Sequence, residues 1–234
     1  DLERIEALER VLGHHRPESA LIFCNQRSTC NDVVVALRDA GHSAQAMHGG
    51  LAQRDRDGVL EMFANGSLRL MVATNVAARG IDIEQLDAVI NYELPHDSNA
   101  YVHRIGRTGR AGGEGVAISL VDGARDRDLE TFDETLAGRD LLAAQDLAPR
   151  PDAPEPADMK TIAIKAGRRD KLRPGDIVGA FTGDIGIPND TIGNITIRDS
   201  VSFVAVDRRF AETALEGIER HQIKGRNFAA FFLR

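Results

Sequence analysis

Ala20-Leu21-Ile22-Phe23-Cys24 is an unbroken apolar run, and the amphipathic stretch Arg27–Ala40 follows it after a two-residue gap. The pattern then repeats along the chain: Ser43–Met47 reads as a strand, Gln53–Asn65 as a helix, and Leu68–Ala73, Ala88–Tyr92 and Gly115–Val121 as strands. Short buried strands that alternate with amphipathic helices make a parallel sheet with helices on both faces, so the fold class is α/β. Upstream, Leu2, Ile5, Leu8, Val11 and Leu12 recur at helical spacing and predict a helix at the start.

In an open sheet of this kind ligands bind beyond the carboxyl ends of the strands. Cys24-Asn25-Gln26-Arg27 follows the first strand, His48-Gly49-Gly50 the second, and Thr74-Asn75 the third. Arg56, three residues after Gln53, lies near the start of the next helix, where free amides favour phosphate. Each also has a structural reading: Asn25 as a helix cap, His48 as a satisfied core histidine, Gln53 and Arg56 as a solvated face. Their common position on one sheet edge is what singles them out. Farther on, His103-Arg104-Ile105-Gly106-Arg107-Thr108-Gly109-Arg110 sets Arg107 and Arg110 three apart around a glycine-threonine turn. Arginine keeps its charge and presents a planar fork that matches phosphate oxygens, while glycine lets a ligand approach the backbone. A solvated basic loop is the alternative, but it does not require that alternation.

Composition bounds the setting. The 234 residues suit one large domain or two small ones, and no apolar run is long enough for a membrane span. Cys24 and Cys30 form neither a CxxC pair nor part of a Cys/His cluster, which argues against a disulfide scaffold or structural zinc and predicts a reducing, cytoplasmic setting. A first residue other than methionine, running directly into a helix, reads as part of a longer protein. Charge is uneven. Residues 1–157 carry 16 Lys/Arg against 26 Asp/Glu, a net −10. Residues 158–234 carry 13 against 10, a net +3, which together give the overall −7. Only the later part invites polyanions.

The divider is Ala148-Pro149-Arg150-Pro151-Asp152-Ala153-Pro154-Glu155-Pro156-Ala157, whose four prolines deny helix and central strand and predict a semi-rigid linker over residues 149–158. Beyond it the order is Thr161–Lys165 strand, Pro174–Thr182 helix, Thr191–Ile197 and Val201–Val206 strands, Arg208–Arg220 helix and Asn227–Leu233 strand. This β-α-β-β-α-β order is a small α+β split βαβ sandwich.

Ala20–Asn25, His48-Gly49 with Gln53-x-x-Arg56, Val72-Ala73-Thr74-Asn75-Val76-Ala77-Ala78-Arg79-Gly80-Ile81-Asp82, and His103–Arg110 resemble, in order, motifs IV, IVa, V and VI of the second RecA-like domain of DEAD-box RNA helicases. The resemblance implies a RecA-like helicase domain over residues 1–148. It implies that Arg107 and Arg110 reach the ATP γ-phosphate as arginine fingers and that Gly80 and Asp82 contribute to the nucleotide site. Asn25, Arg27, Gly49, Arg56 and Thr74 would hold the RNA backbone, and Arg79 and His103 would couple the two sites. Asn75 stands where the family usually has aspartate, and Gly50 where aspartate is frequent. An amide at 75 keeps a hydrogen bond while giving up a salt bridge, and no catalytic role follows for it. No G-x-x-x-x-G-K-[ST] loop and no Asp-Glu-Ala-Asp occur. The chain is therefore expected to supply half an ATP site, to hold neither ATP nor Mg2+ alone, and to partner a first RecA-like domain that precedes it.

Residues 159–234 have the element order of an RNA-recognition motif without its aromatic signature, since the third strand reads Ser200-Val201-Ser202-Phe203-Val204-Ala205-Val206. Phe203 and Phe228 are expected in the core. Basic residues gather instead at Lys165, Arg168, Arg169, Lys171 and Arg173, and at Lys224-Gly225-Arg226, with solvated loops as the alternative reading of each group. The run Lys171–Gly186, with Ile192-Gly193-Asn194-Ile195 and Ile223–Arg226, is similar to the DbpA-type RNA-binding domain of bacterial DEAD-box proteins. That resemblance implies tethering to a hairpin of 23S ribosomal RNA, remodelling of a nearby duplex, and a role in large-subunit assembly. A general RNA helicase or chaperone, and a non-enzymatic RNA-binding adaptor, are the competing readings.

Overall fold

The computed structural model describes residues 2–78, 86–109, 115–122, 132, 140, 142–148 and 152–233. Packing divides the chain into two compact units, Asp1–Val59 with Arg69–Pro156, and Leu60–Leu68 with Ala157–Arg234.

In the first unit, β1 (Ala20–Cys24), β2 (Ala44–Met47), β3 (Leu70–Thr74), β4 (Ala88–Asn91) and β5 (Val116–Ser119) form one parallel sheet in the order β2-β3-β1-β4-β5. The central strand β1 is in register with both neighbours, Ala20 facing Leu70 and Ala88, so Cys24 lies beside Thr74 at the carboxyl edge. Ile22, Val72 and Ile90 pack with Leu8, Val11 and Leu12 of α1 (Leu2–His15) and Val33, Val34 and Leu37 of α2 (Arg27–Asp39). Leu21, Phe23, Met71 and Val89 alternate with them along the strands and are equally buried. Both sheet faces are therefore covered, which is why these strands read as continuous apolar runs instead of alternating ones.

Three further helices belong to the loops and the connection after β2: α3 (Gln53–Ala64), the single turn α4 (Asn75–Ala78) and α5 (Ser98–Ile105). The last is a helix that the sequence reading does not name, and it leads into the expected glycine-threonine turn. Asp97 starts it by accepting a hydrogen bond from Ala100 N–H at 2.8 Å, an N-cap that leads into the buried pair Tyr101 and Arg104 one helical turn apart. The proline-rich stretch is anchored within this unit at its far end. Arg69 donates through Nη1 to the Glu155 carbonyl at 3.3 Å and through Nη2 to the Pro17 carbonyl at 3.1 Å.

In the second unit β6 (Met159–Ile164), β7 (Ile192–Ile197), β8 (Ser202–Asp207) and β9 (Ala230–Phe232) form an antiparallel sheet in the order β7-β8-β6-β9. Ile162, Ile164, Val204 and Val206 face Ile177 and Phe181, with Ala211, Ala214 and Ile218. These come from α6 (Pro174–Gly179) with its continuation, and from α7 (Ala211–Arg220). The chain order is the expected β-α-β-β-α-β. Pro174 starts α6, where its missing N–H costs nothing. The expected helix over Pro174–Thr182 widens after Gly179 into a π-helical turn, Ala180–Asp184, closed by Ile185 N–H on the Ala180 carbonyl at 3.0 Å. Phe203 is buried and Phe228 packs against the core, as expected of both.

Candidate nucleotide and RNA-backbone site

The carboxyl edge of the parallel sheet is organised around a side chain to which the sequence motifs assign no role. Arg104, on the inner face of α5, is 2% exposed, the largest fully buried side chain among the described residues. Its guanidinium donates from Nε to Asn75 Oδ1 at 2.5 Å and from Nη1 to Asn91 Oδ1 at 3.0 Å and the Glu93 carbonyl at 2.6 Å. Nη2 donates to Asn25 Oδ1 at 2.8 Å. The ring of Phe23 lies 5.0 Å from the guanidinium carbon, a cation–π contact out of water. Four of five N–H donors thus have protein acceptors, as a buried guanidinium requires. Burial lowers its pKa to about 10, opposed by the nearby Cys24 and Glu93, so it remains charged at neutral pH.

This network spends the side chain of Asn25. Its Oδ1 accepts from Arg104, its Nδ2 donates to the Leu94 carbonyl at 2.8 Å, and its backbone N–H donates to Glu93 Oε2 at 2.7 Å. Asn91 extends the network to Ser119, with Nδ2 to Oγ at 3.1 Å. Three asparagines from three strand ends are therefore held by one arginine from the element that leads into the arginine turn.

That turn is fixed on both sides. Arg107 follows α5, and its carbonyl accepts from Leu86 N–H at 3.4 Å. Thr108 Oγ1 donates to the Leu86 carbonyl at 2.5 Å, and Gly109 has φ +69, a left-handed conformation that glycine adopts at little cost. A Cβ on Gly115 would collide with Thr108 Oγ1, so the chain passes there as close as glycine allows. His103 is exposed on α5. Arg79, Gly80, Asp82 and Arg110 lie outside the described residues.

The end of strand β2 forms a second small cluster. His48 Nδ1 accepts from Gly50 N–H at 3.2 Å while Nε2 meets Asn31 Oδ1 at 3.0 Å, which fixes the tautomer with the proton on Nε2. Arg27 crosses above Gly49, where an added Cβ would come within 3.3 Å of Nη2. Arg27 and Gly49 are thus brought together. Thr74 is buried at the end of β3, next to Cys24. Arg56 is the fourth residue of α3, near its start; Nη1 donates to Gln53 Oε1 at 3.3 Å and its Nε is buried without a partner.

In the second unit the basic residues do not all stand alone. Arg168 pairs with Asp199 at 3.7 Å, Arg226 with Asp170 at 3.1 Å, and Lys224 with Asp176 at 3.3 Å. Asp176 also accepts from Arg173 N–H at 2.9 Å, and these partners hold its carboxyl below the usual range. Lys165 lies over Phe231 at 5.8 Å and Arg226 over Phe228 at 5.0 Å. Arg169, Lys171 and Arg173 are exposed.

A sequence signal for Arg104 exists in the spacing. Arginines 104, 107 and 110 recur every three residues, and Arg104 shares the helical face of Tyr101, which makes it the inward member of the series.

Comparison with known proteins agrees with this geometry. Residues 3–112 match the helicase conserved C-terminal domain, and residues 161–230 match the DbpA RNA binding domain. The chain is 42% identical over 223 residues to the ATP-dependent RNA helicase DbpA of Escherichia coli (strain K12), covering 95% of this chain and 49% of the relative. It is 35% identical over 244 residues to the protein of the same name from Bacillus subtilis (strain 168), covering 95% and 51%. It thus spans about half the length of these curated relatives. Among solved structures, E. coli DEAD-box protein SrmB bound to regulator of ribonuclease activity A superposes with TM-score 0.56 at 32% identity, over 66% of this chain and 92% of that one. The C-terminal domain of the DEAD-box protein Dbp5 gives 0.53 at 34% identity, over 60% and 82%. A RecA-like parallel sheet carrying the arginine turn, followed by a DbpA RNA binding domain, makes this chain a DbpA-like member of the DEAD-box RNA helicase family.

Proposed function

We propose that the chain is the C-terminal portion of a cytoplasmic ATP-dependent RNA helicase that binds a hairpin of 23S ribosomal RNA through residues 159–234 and remodels an adjacent duplex during large-subunit assembly. The observation that carries this reading is the Arg104 network. It locks Asn25, on the RNA side of the sheet edge, to the helix that delivers Arg107, so the two ends of the site move as one piece.

In this reading Arg107 and Arg110 meet the phosphates of ATP held by a first RecA-like domain, with Gly80 and Asp82 at the nucleoside end. Phosphoryl transfer is accelerated by positive charge placed where negative charge develops, and an arginine finger contributes about 10³–10⁵ in rate in GTPase systems. The residues fit a polyphosphate: a permanently charged fork on a turn whose backbone is tied down at both Arg107 and Thr108. We assign Mg2+ no ligand here. Among the described residues no three His, Cys, Asp or Glu side chains gather to hold an ion. Arg27, Gly49, Arg56 and Thr74 hold the RNA backbone, joined by Asn25 through the second hydrogen of its Nδ2, and Arg79 and His103 link the two sites. Contacts to phosphate and sugar carry no sequence information, so specificity must come from the DbpA RNA binding domain. Tethering then raises the local concentration of the duplex.

Fluorescence anisotropy across a salt series tests this, comparing a 23S ribosomal hairpin with a scrambled hairpin of equal length. Preference for the authentic hairpin that persists at moderate salt supports the assignment. Equal, steeply salt-dependent binding means phosphate contacts alone and a general RNA helicase.

A further inference from the structure

Pro154 and Pro156 have no N–H, so the end of the proline-rich stretch is hydrogen-bonded chiefly through its carbonyls and the Glu155 carboxylate. A donor must therefore come to it, and Arg69, just before β3, is that donor. Its Nη1 meets the Glu155 carbonyl at 3.3 Å and lies 3.6 Å from the Glu155 carboxylate, while Nη2 stays on the Pro17 carbonyl at 3.1 Å. Pro154 sits beside Gly41, where an added Cβ would stand 3.5 Å from its ring. Upstream, Arg10 Nη1 donates to the Leu147 carbonyl at 3.0 Å, and Leu147 packs against the core of the same unit. The second unit takes the chain at once: Ala157 is buried, and Arg208 Nε donates to its carbonyl at 2.7 Å. A connection expected over residues 149–158 is thus reduced to Pro156 between one holdfast and the next.

The fastening of this strap is light. The Glu155 side chain is 68% exposed, in an ion pair of the kind that water and salt weaken readily. A cavity of about 20 Å³ stays between Pro154 and Leu12, His42, Ser43 and Leu70, so that contact is not close-packed. Opening leaves no buried group bare, since Glu155 returns to water and Arg69 keeps the Pro17 carbonyl. Residues 148–156 then join the free connection. Nine residues of this composition extend about 28 Å at about 3.1 Å each, against one residue when the strap is down.

We propose that Arg69 and Pro154-Glu155 form a releasable clasp that sets how far the RNA-binding unit reaches from the helicase unit. Its use rests on the reading of the second unit as a tether to a hairpin. With the clasp shut, the short connection keeps the effective concentration of a duplex close to the hairpin high. Release gives up some of that concentration and brings more distant duplexes within reach.

The test places nitroxide labels at Asp32→Cys on α2 and Glu219→Cys on α7 of the whole chain, both exposed, with Cys24 and Cys30 buried out of the reagent's reach. Pulsed EPR distance distributions are read for the wild-type strap, for Arg69→Leu, and for Pro154→Ser, which loosens the strap without touching Arg69. Both variants should melt near the wild-type temperature and populate distances longer than any in the wild type, by up to about 25 Å. Distributions that coincide with the wild type's overturn the clasp, and so does a wild type that already fills the longer range. Lengthening in Arg69→Leu alone, with a fall in melting temperature, also counts against it, because Arg69 is then a brace for the loop at Pro17.

No RNA enters that measurement, so the clasp stands or fails apart from the hairpin reading. Its role in reach is measured in the chain joined to the N-terminal half of the E. coli DbpA relative, on a 23S-type hairpin linked to a duplex by single-stranded spacers of increasing length. The two variants should lose about 5-fold in RNA-stimulated ATP hydrolysis at the wild type's best spacer and exceed the wild type at the longest. Identical spacer profiles overturn the role in reach. A wild type indifferent to the hairpin sinks the RNA-binding reading instead.

Discussion

Arg104 Nε donates to Asn75 Oδ1 at 2.5 Å, so a buried permanent cation meets a neutral amide at the position where DEAD-box proteins usually carry aspartate. The side chain that was expected to preserve a hydrogen bond without a salt bridge does so. The Glu93 carboxylate, itself held by the Asn25 N–H, favours the charge from nearby without a direct ion pair.

Asn75→Asp should therefore stabilise the first unit. Bonds with an ionised acceptor are roughly twice as strong as neutral ones, and a gain of about 1 kcal/mol is expected at neutral pH. Urea denaturation checks it. A loss instead means that the amide hydrogens of Asn75 serve an acceptor that aspartate cannot.

Arg104→Lys keeps the charge and removes the fork. One ammonium cannot reach acceptors on Asn25, Asn75, Asn91 and Glu93 at once, so at least one buried carbonyl is left bare. The expected cost is about 2–4 kcal/mol. Amide exchange at Asn25 should quicken with it, and unchanged exchange would place the network's rigidity elsewhere.

Most of the fold is legible in the sequence because periodicity reports burial. The run Ala20–Cys24 is apolar at every position since β1 is covered on both faces, and the split βαβ order follows from the same signal. Helix α5 escapes it because Ser98–Ile105 buries only Tyr101 and Arg104 among its side chains, and a buried arginine has no hydropathy signature. The site is legible as a set of strand-end residues. What holds them together is not, because hydrogen bonds between Arg104 and three asparagines up to 79 positions away leave no pattern in sequence spacing.

Cys24 and Cys30 are both fully buried, and the hydrogen bond between them together with burial raises the Cys24 thiol far above its ordinary range. Only the thiolate is reactive. Neither cysteine should react with a thiol-exchange reagent in the folded chain at neutral pH, and both should react after unfolding. Rapid modification of the native protein would contradict this packing.

Asp207 accepts from Arg209 at Nε (3.0 Å), Nη2 (2.7 Å) and the backbone N–H (2.8 Å), which lowers its pKa from 3.8 to about 2. A depressed carboxylate pKa contributes stability above the unfolded value that is lost as pH falls through the folded one. Asp207→Asn should lower stability at neutral pH and flatten its dependence between about pH 4 and pH 2. Melting curves of the two proteins that run parallel over that interval would remove the ion pair from the account.

Gly167→Ala should disrupt the turn that carries Arg168 and Arg169, because its Cβ would collide with the Arg198 carbonyl oxygen and stand 2.7 Å from Asp199 backbone atoms. Backbone cannot yield as a side chain can, so a loss of about 3 kcal/mol or more is expected. Gly175→Ala, in open space at the start of α6, should change stability by under about 1 kcal/mol. Equal effects in thermal melts would show that the close approach at Gly167 is not rigid.

In the function proposed above, Arg107 on its stapled turn completes an ATP site with a first RecA-like domain. The direct measurement is RNA-stimulated ATP hydrolysis by this chain joined to the N-terminal half of the E. coli DbpA relative, with wild-type Arg107 and with Arg107→Ala. Turnover is expected in the first and a fall of about 10³-fold or more in the second, with RNA affinity of residues 159–234 unchanged. Equal turnover in the two would contradict it.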